Sequence, residues 1–154
     1  MKQNKKILLY IFFWIAIGCS TNKLSTLSTQ VIALPNNEEG TILIRSSGHG
    51  SNESEAVKVA EKKAFTALLF YGLPSSIQTT PLIEIESHTK KKNISFFDSF
   101  FENNDYKYFM VSSATYNNSQ RAGKYIHLNR DIKINIRSLR YHLEKNGIIR
   151  KFGY

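Results

Sequence analysis

One stretch limits the folding of this chain more than any other: TILIRSSGHGSNESEAVKVAEKKAFTALLFYG, residues 41–72. Ile42 and Ile44 recur at period two against Leu43 and Arg45, which predicts a strand over 41–47. Gly48-His49-Gly50 then reads as a turn, since glycine enters positive φ without steric cost. Ser51 or Asn52 can cap a following helix, and Glu53 and Glu55 fall in the first turn, where the helix dipole favours acids. Within that helix Val57, Ala60, Ala64, Leu68 and Tyr71 follow three- and four-residue steps, with Ala56 and Ala67 beside them. Small side chains on the stripe let a helix lie close to a sheet. Phe65, Leu69 and Phe70 widen the apolar surface, so the helix is covered on more than one side, and Gly72 with Pro74 stops it.

The rest of the chain supplies elements to pack around this unit. Residues 81–87, PLIEIES, alternate as a short strand with one wetter face. Lys90-Lys91-Lys92 reads as a charged loop, and Asn93 or Ser95 can cap a short helix to about residue 103. Phe96, Phe97, Phe100 and Phe101 share one broad face of it, either packed flat on the domain or left as a docking surface. Residues 106–116 have strand composition, 117–123 read as a turn or loop, and 124–128 begin another strand. Over 131–137, Ile132, Ile134 and Ile136 alternate with Lys133, Asn135 and Arg137, the half-buried strand pattern. A helix over 138–145 ends at Gly147. The expected fold is α+β: a mixed or antiparallel sheet of about four strands with two or three helices, in the order β-α-β-α-β-β-α.

The start of the chain bears on location. Residues 1–18 place Lys2, Lys5 and Lys6 before an uncharged apolar run over 7–17, with Gly18 just ahead of Cys19. That is a secretory signal layout, with an apolar run shorter than the roughly 20 residues of a membrane span. Ala16-Ile17-Gly18-Cys19 resembles the lipobox of bacterial lipoproteins, with alanine where leucine is commoner; the resemblance implies a lipid such as palmitate on Cys19. A spent signal and an uncleaved anchor are the alternatives. Residues 19–39, rich in Ser and Thr and broken at Pro35-Asn36-Asn37, read as a flexible tether, although 31–34 can instead dock as an edge strand. Residues 40–154 make one domain, which 154 residues with 42% hydrophobic content can support. Cys19 is the one cysteine of the chain, so no internal disulfide supports the fold.

Net charge is +9 for the whole chain and +6 once the three leader lysines are set aside. Residues 121–154 hold nine basic residues against Asp131 and Glu144, so the excess lies at the end. Arg137, Arg140, Arg150 and Lys151 there form a candidate binding surface for anionic lipid, glycan or an acidic protein. Basic and aromatic residues interleave in this region as they do in nucleic-acid binders, but export removes that partner, and no nucleic acid is expected.

Catalytic and cofactor patterns are weak. Gly48-His49-Gly50 before a helix invites comparison with a dinucleotide fingerprint, yet the third glycine is missing and Glu53 stands where the pyrophosphate belongs. His49, His88, His127 and His142 have no short metal-ligand spacing, so neither a metal nor a cofactor is expected. No nucleophile elbow occurs, and Glu84 with Glu86 marks a wet strand face more simply than an acid pair. A hydrolase with an unfamiliar site would need a deep pocket joining His49 to carboxylates.

The strand followed by Gly48-His49-Gly50, the helix with Glu55-Ala56, Ala60 and Ala64, and Gly72 at its end resemble small bacterial envelope lipoproteins. These share an α/β module with the N-terminal domain of the flagellar assembly protein FlgT. The ending KINIRSLRYHLEKNGIIRKFGY, through Asn135, Leu139, Leu143 and Gly147-Ile148-Ile149, resembles uncharacterised lipoproteins of the same broad group. The resemblance implies an α+β domain displayed from a membrane and facing the periplasm or cell exterior, with a structural or assembly role and no catalytic residues to transfer. The expected function is therefore that of a lipid-anchored, non-enzymatic envelope protein with a protein or glycan partner. The alternative is a glycan- or anionic-lipid-binding module acting through the basic end.

Overall fold

The computed structural model describes residues 31–83 and 93–151. The leader, Cys19, the first part of the expected tether, Glu84, Glu86, His88 and the lysine loop lie outside the described residues.

Strands β1 (Val31–Leu34), β2 (Thr41–Gly50), β3 (Met110–Ala122) and β4 (Tyr125–Asn135) form one sheet in the order β1-β2-β4-β3. Every neighbouring pair is antiparallel. Helices α1 (Glu53–Phe70), α2 (Ile94–Glu102) and α3 (Ile136–Lys145) complete the expected α+β architecture, with a 3₁₀ turn at Asp105–Phe109. The segment 31–34 is the edge strand that the tether reading allowed as its alternative.

The period-two pattern of β2 and β4 sets which sheet face is covered. Ile42, Ile44, Ser46, Gly48 and Gly50 are buried on β2, and Leu128, Ile132 and Ile134 on β4. Against them lie Ala56, Ala60, Ala64 and Leu68 of α1, all 0% exposed. Asn52 caps α1 by accepting the Glu55 N–H at 2.9 Å, while the Glu55 carboxylate accepts from the Ser51 N–H and hydroxyl. The main core continues through Phe65, Leu69, Phe100, Tyr106, Leu139 and Leu143.

Gly48-His49-Gly50 is not a turn, because β2 runs on to Gly50 and pairs with β4 along its whole length. The glycines serve a close approach instead. A Cβ on Gly48 would fall on the Ala56 carbonyl oxygen and 2.8 Å from the Ala60 nitrogen, and one on Gly50 would lie 2.7 Å from the Ala56 nitrogen.

Four further expectations are corrected. Pro81, Leu82 and Ile83, the described part of the expected 81–87 strand, lie in no strand. The Leu82 and Ile83 N–H groups donate to the Leu68 and Leu69 carbonyls, which the end of α1 leaves open. Residues 105–109 form a 3₁₀ turn rather than the start of a strand, because Tyr106 and Phe109, three apart, both point into the core while Tyr108 stays 85% exposed. Residues 117–123 are mostly strand: β3 continues to Ala122 and turns at Gly123, where φ is +61°. The two segments expected over 124–128 and 131–137 are one strand, β4, and it ends at Asn135. The Asn135 side chain accepts the Ser138 N–H at 2.9 Å, so α3 already contains Ile136 and Arg137.

Candidate functional site: the uncovered face of the sheet

Residues that alternate with the buried set of β2 and β4 project to the opposite side, where none of the described helices packs. Arg45 of β2 stands directly across from Asp131 of β4. Its Nε and Nη2 donate to the two carboxylate oxygens at 2.6 and 2.8 Å, the fork-to-fork geometry that makes Arg–carboxylate pairs directional. The same guanidinium lies 3.2 Å from the ring centroid of Tyr116 on β3. Donation to Asp131, and then the charges of Asp131 and Tyr116, raise the Arg45 pKa against a smaller opposing effect of burial. Lys133 joins Glu38 at 2.9 Å further along the face. Ile32 at 48% exposure and Tyr116 at 42% add apolar surface. The result is a flat, pre-ordered patch of charge and aromatic surface.

His49 also lies on this face and is exposed, but on a strand rather than in a turn. Directly opposite stands His127, with ring centroids 5.9 Å apart and planes 30° from parallel. Beside the pair β3 leaves regular register. Tyr116 pairs with Asn129 and Gln120 with His127, so 117–119 face Leu128 alone. This bulge, with Asn117 at φ +62°, opens a cleft of about 240 Å³. Among the described residues no carboxylate lines it.

A second polar group sits on the helix side. Glu61 of α1, 3% exposed, accepts from Ser113 at 3.0 Å and from the Tyr106 hydroxyl at 3.3 Å. Arg130 lies 3.9 Å away and Lys107 3.7 Å. Arg130 is also held by the hydroxyls of Ser113 and Thr115 and by the Ser113 carbonyl. Burial, then the charge of Glu61 and its hydrogen bond, push the Tyr106 phenol far above its ordinary range. With two partners fixing its carboxylate and two cations nearby, Glu61 ties α1 to β3 and β4; that is a structural role.

The basic residues singled out in the sequence lie on α3 or just beyond it. Arg137 is exposed in the first turn of α3 and lies against Gly40, before β2. Arg140, one turn on, is half-buried and donates to Gln78 at 3.1 Å. Arg150 and Lys151 are exposed beyond the helix. The Arg45–Asp131–Tyr116 and His49–His127 groupings were missed because each joins strands far apart in sequence. Their one local trace is a charged or aromatic residue at an alternate strand position.

Among the described residues, no group of three or more His, Cys, Asp or Glu could hold a metal ion, and no helix is long and apolar enough to cross a membrane. Compared with family models, with curated proteins and with solved structures, the chain matches none.

Proposed function

We propose that this chain is a lipid-anchored, non-enzymatic domain of the bacterial cell envelope, and that it binds or scaffolds another envelope component through the uncovered face of its sheet. The leader layout and the lipobox-like residues before Cys19 support the anchor. The observation that carries the binding role is the pre-ordered patch of Arg45, Asp131 and Tyr116. An interface built on it loses little side-chain freedom on docking, because the guanidinium is already fixed by two hydrogen bonds and a ring. Arg and Tyr are also the residue types that dominate interface energetics.

The test has two parts. In a bacterial host, the wild-type chain should incorporate an alkyne palmitate analogue and fractionate with membranes, while Cys19→Ala should stay unlabelled. An unlabelled, soluble wild-type chain ends the anchor. A photo-cross-linker at Ala114, on the same face, should join the chain to a defined envelope component, and Arg45→Ala with Tyr116→Ala should abolish that product. Cross-linking indifferent to the double substitution ends the role of this face.

A second reading, a glycan- or anionic-lipid-binding module using the basic end, is favoured by the exposure of Arg137, Arg150 and Lys151. Replacing Arg137, Arg140, Arg150 and Lys151 by glutamine should then release the chain from anionic envelope fractions. Unchanged association rejects this reading.

A further inference from the structure

The cleft beside the β3 bulge is built for a different kind of ligand from the flat patch. It is lined by Lys63, by His49 and His127, by Asn117, Asn118, Gln120 and Asn129, and by Ser47 and Tyr116. The remaining lining residues are Gly48 and Leu128. Pockets for drug-sized apolar molecules are larger, about 300–1,000 Å³, and mostly apolar. At about 240 Å³ this cleft instead suits a small polar ligand.

The charge balance narrows the class. Lysine, amide and imidazole N–H groups are donors, and the lining includes Lys63 but no Asp or Glu. Partial burial lowers the Lys63 pKa. Hydrogen bonds from the Ser51 hydroxyl and N–H lower the Glu55 pKa, and Glu55 does not line the cleft. The bulge takes Asn117 and Asn118 out of the ladder, and both residues line the cleft.

From this donor-rich, carboxylate-free lining we infer that the cleft binds an oxyanion, a phosphate or carboxylate group on a small hydroxylated carrier such as an acidic sugar. Lys63 and the histidine pair hold the oxyanion, and the four amides with Ser47 and Tyr116 hold the carrier's hydroxyls. The site shares Tyr116 with the Arg45 patch but uses neither Arg45 nor Asp131.

The histidine ring resonances report binding directly. Full-length protein in a non-ionic detergent is titrated at neutral pH with inorganic phosphate, glucose 6-phosphate, glucuronate and, as the neutral control, glucose. The signals of His49 and His127 should move with the anions, while that of His142, which packs on Phe96 and Phe109, stays still. Glucose 6-phosphate moving them at lower concentration than phosphate identifies a sugar phosphate as the source, and equal potency identifies the oxyanion alone. Glucuronate acting at the lowest concentration identifies a uronic acid. Lys63→Met should weaken binding about tenfold or more, the loss expected for one charge-assisted contact. His127→Gln, on an exposed ring that does not support the core, should weaken it with an unchanged unfolding midpoint. If no anion moves the two rings selectively, or glucose moves them equally, the inference is wrong.

Discussion

Replacing Gly48 with alanine is expected to cost about 3 kcal/mol, the upper end for forcing a methyl group into a packed interior, because both obstructing groups are backbone or Cβ atoms of α1. Gly123 makes the comparison. A Cβ there meets nothing within 4 Å, so alanine carries only the cost of its positive φ, about 1 kcal/mol. Urea midpoints of the two variants should differ in that order, and equal midpoints would mean that α1 simply moves away. Tyr106 offers a test by pH. Its folded pKa is raised, so its contribution is complete below the ordinary phenol value of about 10 and is lost as pH climbs, because the unfolded chain ionises there first. Urea midpoints followed from about pH 9 to 11.5 should fall in the wild type and fall less in Tyr106→Phe. The same variant should lose about 1 kcal/mol at neutral pH with the hydrogen bond to Glu61. Parallel slopes would place the alkaline loss elsewhere.

At the level of elements, helices were legible where a local signal fixed them and strands where alternation was uninterrupted. The Glu53–Phe70 helix could be read because capping, acidic first turn, alanine stripe and terminal glycine all agree. Residues 105–109 could not, because tyrosine and phenylalanine suit both a strand and a 3₁₀ turn, and only the pocket for Tyr106 between Phe65, Phe100 and Phe101 decides between them. The register of β4 against β2, which brings both candidate groupings together, depends on pairing across 86 residues at Arg45–Asp131 and 78 at His49–His127, and alternation within either strand does not fix it. Aromatic content alone also misleads about energetics. Phe100, 1% exposed and in ring contact with Phe65, Phe96, Phe101, Tyr106 and Phe109, should cost about 3–5 kcal/mol when replaced by alanine. Tyr108→Ala, eight residues on and exposed, should stay within about 0.5 kcal/mol of wild type. Thermal unfolding of both separates the face of α2 that packs from aromatic surface that does not; similar losses would put Tyr108 in the core.

For the molecule as a whole, packing every described helix on one side of a four-stranded sheet leaves the other side and both sheet edges without a further described element on them. At one edge β1 covers only Leu43 to Ser46 of β2. At the other, all 13 residues of β3 have no neighbour on their outer side among the described strands. A long regular edge is a template on which a second copy can add its own strand. Here the edge is not regular. Register shifts between Met110 and Ser112 and again between Tyr116 and Gln120 leave a short run between them. Deleting Asn118 and Ser119 would leave Asn117 alone opposite Leu128 and straighten the edge. Sedimentation of that variant should then show dimers or larger species growing with concentration, whereas an unchanged monomer-sized boundary would show that the bulge has no such part. Crowding many copies onto one surface is where this matters most: the three residues that open the cleft would also be what keeps two neighbouring sheets from merging into one.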